Sequence, residues 1–151
     1  MLTMEDIRQV MRRRLDSRER INFLAVLLRI ARVDDVSPAE RDRMLPVLDW
    51  IGARESELTE AMRRADDPDL KLAELVQAFD TEPERLLLFR ECCSVAWVDG
   101  RISEDEAQLV EHLALLLRID ERSRYVLDSP LACSPEGERR FLELLQPTSD
   151  S

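Results

Sequence analysis

The chain has 151 residues, a formal net charge of −10 and a hydrophobic fraction of 44%. This length fits one domain, and the apolar content suffices for a core that folds without metal ions or disulfide bonds. The acidic charge disfavours nucleic acid as a partner, because phosphate backbones would be repelled. Only three glycines occur, and leucine, arginine, glutamate and alanine dominate, which predicts an all-α fold.

Capping signals and apolar stripes at helical spacing predict a bundle of seven to nine helices. They form one helical domain over residues 1–146, and a loose tail is expected at 147–151. In the first helix, Met4, Ile7, Met11 and Leu15 share one face. Further helices are predicted near residues 18–33, 38–51, 55–65, 68–79, 83–98, 104–118, 121–128 and 135–145.

Two helix starts have the serine-to-glutamate spacing of a capping box, Ser37 with Glu40 and Ser103 with Glu106. Each cap satisfies unpaired backbone amides and contributes about 1 kcal/mol. Gly52 is placed to end the third helix as a left-handed residue. The interior of that helix contains a proline at 46, which removes a backbone hydrogen bond, so a kink or a break is expected there.

The helices near 18–33 and 83–98 have almost no polar face, which predicts that they lie at the centre of the bundle. Leu88, Phe89 and Trp97 on the second are therefore interpreted as core residues rather than a ligand cage. The longest apolar run spans only residues 23–28, much shorter than the roughly 20 residues of a membrane span. No transmembrane segment or signal peptide is predicted.

Six arginines crowd the N-terminal segment, and two interpretations stay open for them. They form either the solvated face of a helix or a docking patch for an acidic partner or anionic lipid. The residues are Arg8, Arg12, Arg13, Arg14, Arg18 and Arg20.

The three cysteines, Cys92, Cys93 and Cys133, lack the spacing of metal ligands. Adjacent side chains on a helix point about 100° apart, which suits neither an ordinary disulfide nor a closed zinc site. The sequence therefore predicts a reducing, cytoplasmic environment. Buried, inert thiols are the favoured interpretation of Cys92 and Cys93, and a reactive role is the alternative.

The two central helices belong to an internal repeat. The segment Ala-Arg-Val-Asp at 31–34 matches Ala-Trp-Val-Asp at 96–99, at an offset of 65 residues. After one inserted residue, 36–40 matches 102–106 at an offset of 66, and apolar positions continue in register beyond it. The sequence thus predicts a duplicated helix–acidic loop–helix unit whose halves pack about a pseudo-twofold axis.

Residues 95–106 read Val-Ala-Trp-Val-Asp-Gly-Arg-Ile-Ser-Glu-Asp-Glu, which resembles the signature of TerB-like domains. In that signature a hydrophobic helix ends in Ala-x-x-Asp-Gly, followed by a Ser or Thr cap and a glutamate. The resemblance covers roughly residues 18–128, although Asp35 stands where the first copy would have its glycine. It implies a pseudo-duplicated helical fold, a location in the cytoplasm or at the inner-membrane face, a link to metal or chemical stress, and no enzymatic activity.

The acidic loops are the candidate ligand site. Asp99, Ser103 and Glu106, completed by Asp34 and Glu40 of the other repeat, would form a weak, partly hydrated divalent-cation site. The alternative is that these residues have only a structural role. Gly100 would allow the turn, Ser103 would cap the next helix, and Glu106 would complete its capping box. An EF-hand is excluded, because loop positions 1 and 3 would be a valine and a tryptophan.

The leading hypothesis is a non-enzymatic interaction module whose acidic loops contact a protein partner or a cation. His112 is the only histidine and follows no nucleophile motif, and no glycine-rich phosphate loop occurs. A second hypothesis is thiol-based handling of tellurite or oxidants by Cys92 and Cys93. A third is a structural homodimer.

Overall fold

The computed structural model describes residues 2–33 and 36–146, and within them the fold is all-helical, as predicted. The described residues contain nine α-helices and a single 3-10 helix, Pro130–Cys133, which the sequence did not predict. The expected tail at 147–151 lies outside the described residues. The α-helices are α1 Met4–Arg14, α2 Ser17–Arg32, α3 Pro38–Ile51, α4 Glu55–Asp66, α5 Leu72–Val76, α6 Glu82–Ala96, α7 Glu104–Leu116, α8 Glu121–Leu127 and α9 Pro135–Leu145.

Helices α2 and α6 pack against each other at the centre, which confirms the prediction from their missing polar faces. Helix α3 contacts both α2 and α6, and α7 contacts both α6 and α2. Each half of the repeat therefore packs across the other half. Residues that correspond in the repeat are equally buried. Val47 and Leu113 are both 0% exposed, and Ile51 and Leu117 are both 1% exposed.

The capping boxes and the left-handed end of α3 are confirmed. Ser37 and Ser103 each accept a hydrogen bond from the backbone of the glutamate three residues on. Gly52 ends α3 at φ 69°, a conformation in which a side chain would be strained. Of the kink or break expected at Pro46, the break is wrong, because α3 is continuous through this residue, and the kink stays a prediction. Pro46 lies on the exposed side of α3, where water can hydrate the carbonyl left without a partner.

The helix predicted near 68–79 is also wrong in its extent, since only Leu72–Val76 is helical. The residues before it form a turn in which Asp67 accepts a hydrogen bond from the Asp69 backbone at 2.9 Å. The guanidinium of Arg29 donates to the carbonyl oxygens of Asp67, at 3.1 Å, and of Leu70. These bonds satisfy the backbone outside a helix and favour the turn.

The N-terminal arginines do not form one uniform solvated face, because three of them pair with other helices. Arg20 lies 2.8 Å from Glu57 of α4, and that carboxylate is almost fully buried. Hydrogen bonds from Arg20 are the main reason why the pKa of Glu57 is lowered to about 2. Arg14 pairs with Glu84 at 3.6 Å and Arg8 with Glu138 at 4.0 Å. These ion pairs connect α1 with α6 and α9, and α2 with α4.

Candidate functional site

The two corners that join α2 to α3 and α6 to α7 lie side by side. The Ser37 hydroxyl of the first corner donates a hydrogen bond to Oδ2 of Asp99 in the second, at 3.4 Å. These residues are 62 positions apart in the chain, so the contact exists only because the two halves pack on each other. We call this region the paired corners, and define it by Ser37, Glu40, Asp99, Ser103 and Glu106.

In the first corner, the capping box fixes both side chains. The backbone N–H of Ser37 donates to Oε1 of Glu40 at 3.0 Å, and the backbone N–H of Glu40 donates to the Ser37 hydroxyl at 3.0 Å. Glu40 is only 6% exposed. The Ser37 hydroxyl therefore caps α3 and contacts the other half at the same time. Asp34, predicted as a ligand, lies outside the described residues.

The second corner repeats this arrangement with an added glycine turn. The Ser103 N–H donates to Glu106 at 3.3 Å, and the Glu106 N–H donates to the Ser103 hydroxyl at 3.1 Å. Gly100 has φ 82°, and its N–H donates to the Trp97 carbonyl at 2.8 Å. This left-handed residue turns the chain so that Asp99 is exposed next to the first corner.

A cavity of about 470 Å³ opens at the second corner, and Asp99, Ser103 and Glu106 line it. Its other lining residues are Arg101 and Ile102. Glu40 does not line it and joins the site only through Ser37. The positive charge of Arg101 opposes cation binding at short range.

The oxygen ligands at the paired corners are too few for a closed metal site. Among residues 2–33 and 36–146, no group of three or more His, Cys, Asp or Glu side chains is arranged to hold a metal ion. Glu40 and Glu106 each use a carboxylate oxygen to close a capping box. A cation at the corners would therefore keep most of its water ligands.

The adjacent cysteines on α6 are fully buried, as the favoured interpretation predicted. Cys92 and Cys93 are both 0% exposed, and burial raises the pKa of both thiols well above their ordinary value. The thiolate is the reactive form, so reaction with an oxidant would require α6 to open. Cys133 is exposed and its thiol donates to the Ser94 carbonyl at 2.9 Å.

Thiol labelling of the native protein is expected to modify one cysteine per chain rapidly, and all three only after denaturation. The reason is that Cys133 alone among the three is exposed. Labelling with a chromogenic disulfide reagent, followed by mass spectrometry of the peptides, measures this. Rapid native labelling of Cys92 or Cys93 would contradict the burial of α6 and revive thiol chemistry at these positions.

A buried ionic cluster on α6 was missed by sequence reasoning. Glu91 is fully buried and accepts hydrogen bonds from Arg90 at 2.9 Å and from Arg43 of α3 at 3.2 Å. Arg90 is 2% exposed and also contacts Glu138 of α9 at 3.5 Å. Burial lowers the pKa of Arg43, and the nearby Glu91 carboxylate opposes that shift. Two adjacent charged residues in a helix without a polar face were the available signal for this cluster.

The paired corners and both central helices fall within the part of the chain that matches a known family. Residues 20–128 match the family of tellurite resistance protein TerB, which is more than half of the 151 residues. Comparison with curated proteins gave no match, and neither did comparison with solved structures. In the described ranges, no helix has the length and apolarity to cross a membrane. The duplicated helical fold and the match over both of its halves show that the chain belongs to the TerB family.

Proposed function

We propose that this chain is a non-enzymatic, cytoplasmic binding module of the tellurite-resistance type, and that its paired corners together bind a hydrated divalent cation. One observation carries the proposal: the hydrogen bond from Ser37 to Asp99, which brings the capped start of α3 next to the acidic loop of the second half. A single loop would offer too few oxygen ligands, whereas two adjacent loops can share a cation and its water shell.

The electrostatics of the chain support a weak site rather than a tight one. The net charge of −10 and the carboxylate of Asp99 attract cations, and oxygen ligands suit magnesium, calcium and manganese. Arg101 beside the same cavity reduces this attraction. We therefore expect a dissociation constant of about 10⁻⁴–10⁻³ M, the range of weak calcium sites that retain water.

Titration calorimetry with calcium, magnesium, manganese and zinc is expected to detect one weak site for at least one of the oxygen-preferring cations. Asp99→Asn should abolish that heat, because it removes the exposed carboxylate of the paired corners. Asp69→Asn is the matched control, since it makes the same charge change in the turn before α5. Absence of heat and of a melting shift with all four cations would refute the cation site, as would equal binding by both variants.

A further inference from the structure

An apolar groove lies between α2, α3 and α4, on residues that the paired corners do not use. Its volume is about 460 Å³, within the range of ligand and docking pockets. Leu45 and Met62 stand on its rim and are 54% and 42% exposed. We define the groove by its apolar lining, Leu24, Leu28, Val36, Met44, Leu45, Leu48, Leu58 and Met62, and by two arginines, Arg32 and Arg41.

The groove is elongated along the central helix. Leu24, Leu28 and Arg32 follow one another at four-residue spacing on α2, which places them on one face over about 12 Å. Both arginines lie where α2 ends and α3 begins. The groove is therefore apolar along about two helical turns and cationic at one end.

The internal repeat aligns several apolar residues of the groove with charged residues of the second half. When the 66-residue offset is extended into α4 and α8, it aligns Ala61 with Leu127, and both are buried. At this offset Leu45 corresponds to Glu111, Leu58 to Arg124 and Met62 to Asp128. The second half thus has charged residues at three positions where the first half has exposed or half-buried apolar ones.

Those charged residues contact one another on the surface of the second half. Arg124 lies 4.0 Å from Glu111 and 3.8 Å from Asp128. The Trp97 indole N–H donates to Asp128 at 2.7 Å. The aligned positions are therefore charged in the second half and apolar in the first. An exposed apolar patch beside charged residues is typical of a binding surface.

We propose that the groove binds an amphipathic helix of a partner protein, one that carries a carboxylate beside its apolar stripe. Charge complementarity supports the carboxylate. Arg32 is already paired with Asp66, whereas the exposed Arg41 forms no ion pair with any residue in the described ranges. A carboxylate on the partner would give Arg41 its counter-charge.

The shape of the groove favours a helix over other occupants. Leu45 and Met62 leave its rim open, whereas an acyl chain needs an enclosed pocket that buries most of its surface. A second copy of this chain would add another net charge of −10 and be repelled at low salt. A helix that inserts apolar side chains at i, i+3 and i+7 matches the length of the lining.

Fluorescence anisotropy with labelled helical peptides tests the proposal. The probes are a panel of peptides of about 14 residues, four turns, with stripes of leucine, isoleucine, methionine or phenylalanine, each flanked by glutamate. The matched control peptides have lysine in place of glutamate. We expect at least one glutamate peptide to bind, and its lysine counterpart to bind about tenfold more weakly.

Two variants locate the binding. Leu45→Glu/Met62→Asp introduces the residue types of the second half and should weaken binding at least about tenfold, with folding verified by circular dichroism. Arg41→Glu leaves the apolar lining intact and should reverse the preference between glutamate and lysine peptides. Leu115→Glu, at a 70% exposed leucine outside the groove, is the matched control and should bind like the wild type.

Several outcomes would overturn the proposal. They are failure of the whole panel to bind, equal binding of glutamate and lysine peptides, and unchanged binding by both groove variants. Light scattering that shows a dimer dissociated by Leu45→Glu/Met62→Asp would assign the groove to a second copy instead. Binding of a fatty acid that Leu45→Glu/Met62→Asp abolishes, while no peptide of the panel binds, would assign it to a lipid.

Discussion

Glu91→Gln is expected to lower the free energy of unfolding by about 3–5 kcal/mol, which is the usual effect of removing one partner from a buried ion pair. The carboxylate is 0% exposed and lies between Arg90 and Arg43. Glutamine keeps the shape of the side chain but removes its charge. Two arginine side chains, one of them 2% exposed, would then lose their main counter-charge inside the bundle.

The measurement is urea or thermal unfolding followed by circular dichroism, with a shift in melting temperature on the order of 10 °C. Glu136→Gln is the matched control, because its ion pairs with Arg139 and Arg140 lie near the surface. We expect only a small change there, since exposed pairs are screened by water and salt. Equal effects of the two substitutions would show that the Glu91 cluster does not stabilise the bundle.

Gly137→Ala is the second substitution with a large expected effect. A Cβ atom at this position would lie 1.9 Å from the carbonyl oxygen of Leu131, which is a backbone atom in the 3-10 helix. The first turn of α9 and the 3-10 helix would have to move apart. Overpacking of this kind costs about 1–3 kcal/mol, and because a backbone atom must shift we expect the upper end of that range.

Gly100→Ala separates this steric effect from the general effect of replacing glycine. Gly100 has φ 82°, but a Cβ atom there would meet no atom within 4 Å. Its replacement should cost about 1 kcal/mol through backbone strain alone. Chemical denaturation of both variants gives the comparison. If Gly137→Ala is no less stable than Gly100→Ala, the close contact between α9 and the 3-10 helix is wrong.

The sequence predicted most of the fold because its signals are local. The capping boxes at Ser37 and Ser103 mark helix starts within a few residues, and the helices without a polar face can be buried only at the centre. The prediction of the helix near 68–79 failed because contacts with residues distant in the sequence outweigh the local preference for helix. Arg29 of α2 donates hydrogen bonds to the carbonyls of Asp67 and Leu70, and the helix predicted near 68–79 begins only at Leu72.

The candidate site was only partly predictable for the same reason. The sequence indicated that Asp99, Ser103 and Glu106 lie in one corner. Asp99 comes directly before the glycine of the turn, and Ser103 and Glu106 have the spacing of a capping box. It could not show that Ser37 reaches Asp99, which depends on how the halves pack. Nor could residue type alone reveal that Glu91 pairs with Arg43, since the partners are 48 positions apart.

The two halves of this TerB domain have the same scaffold but different surfaces. The first half carries the open apolar groove, and the second has the charged residues Arg124 and Asp128 at the aligned positions. The paired corners use both halves at once. The groove, by contrast, lies on the first half alone.

The paired corners can be tested most directly by amide spectra recorded with substoichiometric manganese, whose unpaired electrons broaden nearby signals. We expect loss of intensity in both corners together, at Ser37 to Glu40 and at Asp99 to Glu106, and no loss when Asp99 is replaced by asparagine. Signals of α9 should remain sharp in the same sample. Broadening confined to one corner, or located elsewhere on the surface, would contradict the joint site formed by the two halves.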